Sequence, residues 1–250
     1  MSNAHYSDLS AKTGLVSGGA SGIGAAIVRA MAGQGMKVGV LDFDAAAGAA
    51  LAAELGGAVR FEHVDLRDVE ATRAAIGRIR AALGPVTHLV NNAARDDRHT
   101  IEQVTPDYWR ERMATNIDHQ FFVTQAVVPD MRAAKAGSVI CMGSTSYMVS
   151  SDSFTAYKTA KSATIGLTRA LARELGSDGV RVNCLIPGWI MTQRQIDLWL
   201  TPESEKELMA RQCLKRRLTP EDIAKAALFL LSTQAGAMTA QTMIVDGGWS

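Results

Sequence analysis

A chain of 250 residues, 47% hydrophobic and 20% charged, has enough apolar material for one sizeable α/β core. A formal charge of +1 supplies no basic field for nucleic acid and no acidic excess of the kind that keeps chains disordered, so no nucleic-acid partner is expected. No run of about 18 apolar residues exists to span a membrane, and the polar stretch 1–10 lacks an apolar signal core; Cys141, Cys184 and Cys213, without Cys-x-x-Cys spacing, read as reduced, buried small hydrophobes in a cytoplasmic protein.

Short apolar runs alternate with Ala-rich segments whose apolar residues recur every three or four positions. In chain order the spacing predicts strand 15–16, helix 25–34, strands 38–41 and 59–61, helix 71–83, strand 88–90 and helix 108–131. Strand 138–141, helix 156–175, strand 180–183, helix 220–231 and strand 243–245 follow. Repeated βα alternation implies a parallel sheet with helices on both faces, and right-handed crossovers then give a single-domain Rossmann-type doubly wound α/β fold with seven strands. No linker or repeat divides residues 1–250, but 190–217 interrupts the rhythm with amphipathic helical content and reads as a substrate lid.

After the first strand comes Ser17-Gly18-Gly19-Ala20-Ser21-Gly22-Ile23-Gly24, which opens a helix. Glycines let the backbone turn sharply and a pyrophosphate approach closely, and the helix N-terminus offers free N–H groups to the anion. Gly18, Ser21, Gly22, Ile23 and Gly24 are therefore expected to cradle a dinucleotide. Asp42, 24 positions after Gly18, ends the second strand, where a carboxylate can accept hydrogen bonds from ribose hydroxyls. A 2′-phosphate there meets like charge with no Arg or Lys at Gly19, Ala20, Phe43 or Asp44 to offset it, so NAD is expected rather than NADP. Asp65 and Leu66 follow the third strand, in place to meet the adenine; Asp65 equally fits a helix N-cap in Asp65-Leu66-Arg67-Asp68.

Tyr157 and Lys161 are four apart in a helical pattern and share a face. Ser144, thirteen residues before Tyr157, closes the fifth strand at the carboxyl edge of the sheet, where such folds bind ligands. A phenol with pKa near 10 is a poor base at neutral pH, but a nearby ammonium and a nicotinamide positive charge both favour phenolate. Tyr157 is then the group that takes a substrate hydroxyl proton while hydride leaves, and Ser144 holds the substrate oxygen. An isolated Tyr-x-x-x-Lys is usually a solvated helix pair; the upstream serine and the glycine loop set this one apart.

Over essentially its whole length the chain resembles the short-chain dehydrogenase/reductase family. The matching pieces are the glycine loop, Asn91-Asn92-Ala93, Asn116, Ser144, Tyr157-x-x-x-Lys161, Pro187-Gly188 and Asp246-Gly247-Gly248. The resemblance implies a tetrad of Asn116, Ser144, Tyr157 and Lys161, with Asn116 holding a water that carries the proton beyond Lys161, and Lys161 also bonding the nicotinamide ribose. It implies that Asn92 lines the cofactor site and that Pro187, Gly188, Ile190 and Thr192 cover the nicotinamide. It also implies a homotetramer, with the apolar tail 237–250 at a subunit interface. Ser17 stands where the family usually has Thr, and Ala94 where it usually has Gly; the Ala94 methyl is expected to be tolerated, at some risk of backbone strain or crowding.

The loop Arg95-Asp96-Asp97-Arg98-His99 is unusually charged, and carboxylates and guanidinium groups above an active site suit a polyhydroxylated substrate. Asp97, Ser144, Ser146, Tyr157, Trp189 and Arg194 are expected to contact a sugar, with Trp189 stacking on a pyranose face and Tyr147 a further candidate. The loop and the lid runs Gln193-Arg194-Gln195, Trp199-Leu200-Thr201-Pro202-Glu203 and Gln212-Cys213-Leu214-Lys215 resemble bacterial aldose dehydrogenases of the xylose 1-dehydrogenase type. That implies oxidation of the C1 hydroxyl of an aldose to an aldonolactone with NAD. The alternatives are an NAD(H)-dependent reductase or dehydrogenase of a non-sugar alcohol or ketone, such as 3-oxoacyl or steroid substrates, and an NAD-binding scaffold without chemistry. His5, His63, His88, His99 and His119 do not cluster at ligand spacing, so no metal is expected.

Overall fold

A computed structural model describes residues 4–149 and 153–250; the first three residues of the polar N-terminal stretch lie outside the described residues. Strand β1 (Thr13–Ser17) shows why both sheet faces are covered. Successive side chains of a strand point to opposite faces, and here Leu15 and Val16 are both fully buried, each in a different core. Val16 joins Ile27, Val28 and Met31 of α1 (Gly22–Gly33) and Ile223 and Ala227 of α9 (Pro220–Leu231). Leu15 joins Ile76 and Ile79 of α3 (Val69–Leu83), Val123 and Val127 of α5 (His119–Ala134), and Leu171 of α6 (Thr155–Leu175).

Among the described residues seven strands form one sheet in the order β3-β2-β1-β4-β5-β6-β7, every pair parallel. The others are β2 (Lys37–Asp42), β3 (Val59–His63), β4 (His88–Asn91), β5 (Gly137–Met142), β6 (Val180–Pro187) and β7 (Thr242–Val245). The chain builds outward from β1 through β2 to β3, then returns to place β4 on the other side of β1, with Ser17 opposite Asn91. This reversal opens a crevice at the carboxyl ends of β1 and β4, where doubly wound sheets bind ligands.

Three expectations change. The single helix expected over 108–131 is α4 (Pro106–Met113) and α5, joined by a π-helical turn over Ala114–Asp118. Asn116 sits in that turn and donates its side-chain amide to the Arg112 carbonyl at 3.0 Å, supplying a bond in the irregular ladder. Helix α3 is capped by Asp68, which accepts from Ala71 N at 2.9 Å, so the N-cap reading of Asp65 is wrong. Cys141 and Cys184 are buried and unpaired as expected, but Cys213 is exposed, because it lies in the irregular segment after α8 (Pro202–Arg211). A further helix, α2 (Ala45–Leu55), fills the Ala-rich stretch between β2 and β3.

The interrupting segment contains α7 (Gln193–Trp199) and α8, with both ends tied down. Ile190 and Leu218 form a parallel bridge, and Met191 N donates to the Leu218 carbonyl at 2.8 Å. Thr192 and Thr201 cap the two helices by accepting from Gln195 N and Ser204 N.

Candidate active site

The glycine loop is shaped by close approach. Gly18 has φ +61°, and a Cβ there would lie 2.6 Å from the Ala93 Cα; a Cβ on Gly24 would lie 2.0 Å from the Gly18 carbonyl oxygen. Only glycine permits the loop to fold against β4 and the helix to start against the loop. Asn92 clamps the arrangement by donating its amide to the Gly18 carbonyl at 2.8 Å and the Ser17 carbonyl at 3.2 Å. The Ser17 hydroxyl accepts from Asn92 N at 3.0 Å, so serine braces the turn. Ala94 is not among the left-handed residues, so its methyl brings no backbone strain of that kind. Asp42 is buried at the end of β2, accepting from Ala20 N at 2.9 Å and Asp44 N at 3.0 Å. Each carboxylate oxygen keeps a further lone pair.

One cavity of about 720 Å³ runs from Asp42, Asp65 and Leu66 at one end to Ser144, Tyr157 and Trp189 at the other. Gly18, Ser21, Gly22, Ile23, Asn92, Ser146, Lys161, Pro187, Gly188, Ile190, Thr192 and Arg194 also line it. Gly24, Asn116, Asp97 and Tyr147 do not. Gly24 lies behind the loop. Asn116 is fully buried, its side-chain oxygen accepting from Arg95 N at 2.8 Å and its carbonyl from the Gln120 amide at 3.1 Å. Asp65 is on the wall but already accepts the Arg67 guanidinium at 2.9 Å and 3.0 Å.

At the reacting end, Ser144 hydrogen-bonds the Tyr157 phenol. Lys161 is almost wholly buried, its Nζ 2.8 Å from the Met142 carbonyl and 5.8 Å from the centre of the Tyr157 ring. Burial holds the Lys161 ammonium down to about 8, with the Cys184 and Cys141 thiols and the Asp96 carboxylate pulling the other way. The phenol differs from expectation. Burial pushes Tyr157 above the usual tyrosine range, the Ser144 bond opposes this, and Asp96 adds to the rise. Desolvation of the charged form dominates, so the protein alone favours Tyr157 as a neutral phenol.

The charged roof sorts the two aspartates. Asp97 accepts from Arg95 Nε at 2.7 Å, Arg112 Nη1 at 2.8 Å and Arg194 Nη2 at 3.0 Å, off the cavity wall. Its expected contact with substrate gives way to a structural role, because three guanidinium groups already occupy it. Its neighbour Asp96 is on the wall, as are Gln195, Trp199 and Trp249; the sequence placed the first three only within the charged loop and lid runs, with no contact assigned to each, and assigned Trp249 no site role. Trp249 arrives because Gly247 and Gly248 take left-handed turns and their carbonyls accept from Leu214 N and Cys213 N, folding the tail against its own site. Such long-range placement leaves no local signal in the sequence.

A doubly wound parallel sheet with a glycine loop at its switch point and a Ser–Tyr–Lys cluster at the other end of one cavity defines a nicotinamide-dependent oxidoreductase. The chain belongs to the short-chain dehydrogenase/reductase family: a family model described as enoyl-(acyl carrier protein) reductase matches residues 18–250. Among similar proteins is one named "Probable galactose dehydrogenase GalD" of Rhizobium meliloti (strain 1021), 47% identical and covering 98% of each chain. A D-xylose 1-dehydrogenase of Caulobacter vibrioides is 43% identical over 100% of both chains. A crystal structure of a 3-oxoacyl-[acyl-carrier protein] reductase from Brucella melitensis superposes with a TM-score of 0.90 at 31% identity, covering 97% of this chain and 92% of that one.

Proposed function

We propose that the protein is an NAD-dependent aldose 1-dehydrogenase that oxidises the C1 hydroxyl of a sugar to an aldonolactone. The observation that carries the reading is the convergence of Ser144, Tyr157 and Lys161 on a cavity whose far end is closed by Asp42 and the glycine loop. The printed activities of the galactose and xylose dehydrogenases support a sugar as substrate.

The residues fit a dinucleotide. The cradle that a Cβ at Gly18 would fill and the first turn of α1 suit a pyrophosphate, and Gly22 faces the Thr192 side chain across the loop. Asp42 fits a ribose diol and opposes a 2′-phosphate, which favours NAD over NADP. Asp65 and Leu66 would flank the adenine, and Asn92, Pro187, Gly188, Ile190 and Thr192 would hold the nicotinamide. When bound, NAD is the acceptor of the hydride that leaves C1.

Ser144 hydrogen-bonds the substrate oxygen, and Tyr157 exchanges its proton with that oxygen. In oxidation Tyr157 must act as phenolate, and Lys161 is the cation that stabilises it once the site is filled and closed. The Asn116 carbonyl has a second lone pair beside the Gln120 bond, and a water there extends the proton path beyond Lys161. Ser146, whose buried hydroxyl has no partner among the described residues, supplies a hydrogen bond to a sugar hydroxyl, and Trp189 and Arg194 bound the sugar from the lid.

A homotetramer is the expected assembly, since β7 ends the sheet with Ile244 exposed and Trp109 and Phe121 present further apolar surface. Light scattering of the purified protein tests this. The buried, unpaired Cys141 and Cys184 suit a reducing cytoplasm, which cell fractionation tests. No described helix is long and apolar enough to cross a membrane, and no described cluster of His, Cys, Asp or Glu is arranged to hold a metal ion.

The deciding experiment is a panel of pentoses and hexoses with NAD and NADP side by side, followed by NADH absorbance, with Tyr157→Phe as control. Turnover of at least one aldose with NAD, lost by about a hundredfold or more in Tyr157→Phe while NAD still binds, is expected. Reduction of a non-sugar ketone with NADH, and no aldose oxidation, would overturn the sugar assignment.

A further inference from the structure

The loop after β4 presents two adjacent carboxylates in opposite conditions. Asp97 faces three guanidinium donors and is off the cavity wall. Asp96 is on the wall, with about a quarter of its side chain exposed, and has only two described donors: Arg194 Nε at 3.3 Å on Oδ1 and Gln195 Nε2 at 2.8 Å on Oδ2. An ionised carboxylate offers about four lone-pair positions. Asp96 is therefore oriented and partly neutralised by α7, yet keeps accepting capacity on a cavity that takes substrate.

The orientation of Gln195 follows from chemistry. Trp189 Nε1 approaches Gln195 Oε1 at 2.9 Å, and an indole N–H can only donate. The amide oxygen must face the tryptophan, so the amide NH₂ faces Asp96. Trp189, Gln195 and Asp96 form one directed chain whose last member is an acceptor-only group at the cavity. Arg194 is shared between Asp96 and Asp97, which ties the position of α7 to the loop. The Asp96 charge also acts on both Tyr157 and Lys161, which sets the carboxylate near the reacting end rather than the adenine end.

We infer that Asp96, presented by Gln195 and Arg194 of α7, is a specificity-determining residue that accepts hydrogen bonds from substrate hydroxyls other than the one oxidised. The inference rests on the reading of the substrate as a sugar and names the residue that selects it. A carboxylate in this place favours substrates with hydroxyl donors near the reacting carbon. A thioester ketone or an apolar ketone has no donor to offer, and its binding strips water from the remaining lone pairs of the carboxylate without replacing it, so the same residue discriminates against them.

The test is a cycle on the full-length protein, pairing Asp96→Ala with a series of monodeoxy aldoses. Thermal melting and NAD titration by protein fluorescence are run on each variant. With the parent aldose, Asp96→Ala is expected to lose about ten- to a hundredfold in kcat/KM, mainly through KM, while NAD affinity is unchanged. For one deoxy aldose, wild type and variant converge, because the partner hydroxyl is already gone. Asp96→Asn, which keeps an acceptor but not the charge, falls between. An equal loss on every deoxy sugar and on a single-hydroxyl alcohol overturns the inference and makes Asp96 a structural residue. If the wild type oxidises acyclic polyols but no aldose, the aldose reading fails, and the same cycle on deoxy polyols still shows the Asp96–hydroxyl pairing. If it takes only single-hydroxyl alcohols, both fail.

Discussion

His99 Nε2 accepts a hydrogen bond from the Ala156 backbone N–H at 3.2 Å, so an imidazole closes the N-terminus of the helix that carries Tyr157 and Lys161. The residue at the N-cap position, Phe154, is left-handed with φ +46° and has no side-chain bond to offer the helix. An acceptor at Nε2 requires the proton on Nδ1, which lies 3.0 Å from the Asp97 carbonyl and 3.0 Å from the Tyr108 hydroxyl. The charged loop therefore fixes the register of the catalytic helix as well as the roof of the site.

His99→Leu removes that cap. The expected cost is about 1–2 kcal/mol of stability, with a lower Tm and a lower kcat while NAD affinity is little changed. His99→Gln, which can present an oxygen to the same N–H, is expected to recover part of both. Melting curves and NADH-coupled turnover check this, and a wild-type kcat in His99→Leu would remove the positioning role.

The seven parallel strands and the glycine loop were legible because they rest on local rules: an apolar run buried on both faces in β1, close approach at Gly18 and Gly24, and helical spacing between Tyr157 and Lys161. The roof was less so. Asp96 and Asp97 are indistinguishable as letters, and only the three arginines converging on Asp97 from separate places in the chain decide which one faces the cavity. The π-helical turn at Asn116 was invisible for the same reason, since its side-chain amide competes with a backbone ladder that apolar periodicity does not report. The rise of the Tyr157 phenol is likewise a property of burial, which spacing cannot supply.

Asp42→Ala removes the charge that opposes a 2′-phosphate. The ratio of kcat/KM with NADP to that with NAD is expected to rise about ten- to a hundredfold, the size of a close like-charge contact near a protein surface. Because Asp42 also accepts from Ala20 N and Asp44 N, Tm is expected to fall as well. Parallel kinetics with both cofactors measure the ratio, and an unchanged ratio would assign the discrimination elsewhere.

Lys161→Met sets function against stability. Burial depresses the ammonium from 10.5 to about 8, so between those values the unfolded chain holds a proton that the folded one does not, and stability rises with pH. Below about 8 the folded protein bears the full cost of a buried cation. The methionine variant is therefore expected to melt at or above the wild-type temperature at neutral pH, even with the Met142 carbonyl deprived of its donor, while turnover collapses. The Tm gap should narrow as pH rises from about 8 towards 10.5 and be smallest above 10.5, where the wild-type lysine is neutral in both states.

His119 carries the acid side of the stability profile. It is buried beside the π-helical turn, and neither ring nitrogen makes a hydrogen bond of good geometry among the described residues. Burial, reinforced by the Lys161 charge and opposed by the Thr115 carbonyl, lowers it from 6.5 to about 3. Below 6.5 the unfolded chain gains a proton that the folded chain refuses, so stability is lost as pH falls from that point, at values where carboxylates are still largely ionised. His88, lowered to about 4 by burial and by the Lys12 and Arg181 charges, acts with the same sign. His119→Leu removes two poorly satisfied buried nitrogens as well as the titration. It is expected to be at least as stable as wild type at neutral pH and to lose less stability between about pH 6.5 and 4 in denaturant unfolding. An acid limb unchanged in His119→Leu but flattened in His88→Leu would assign the loss to the sheet rather than to the helix behind Lys161.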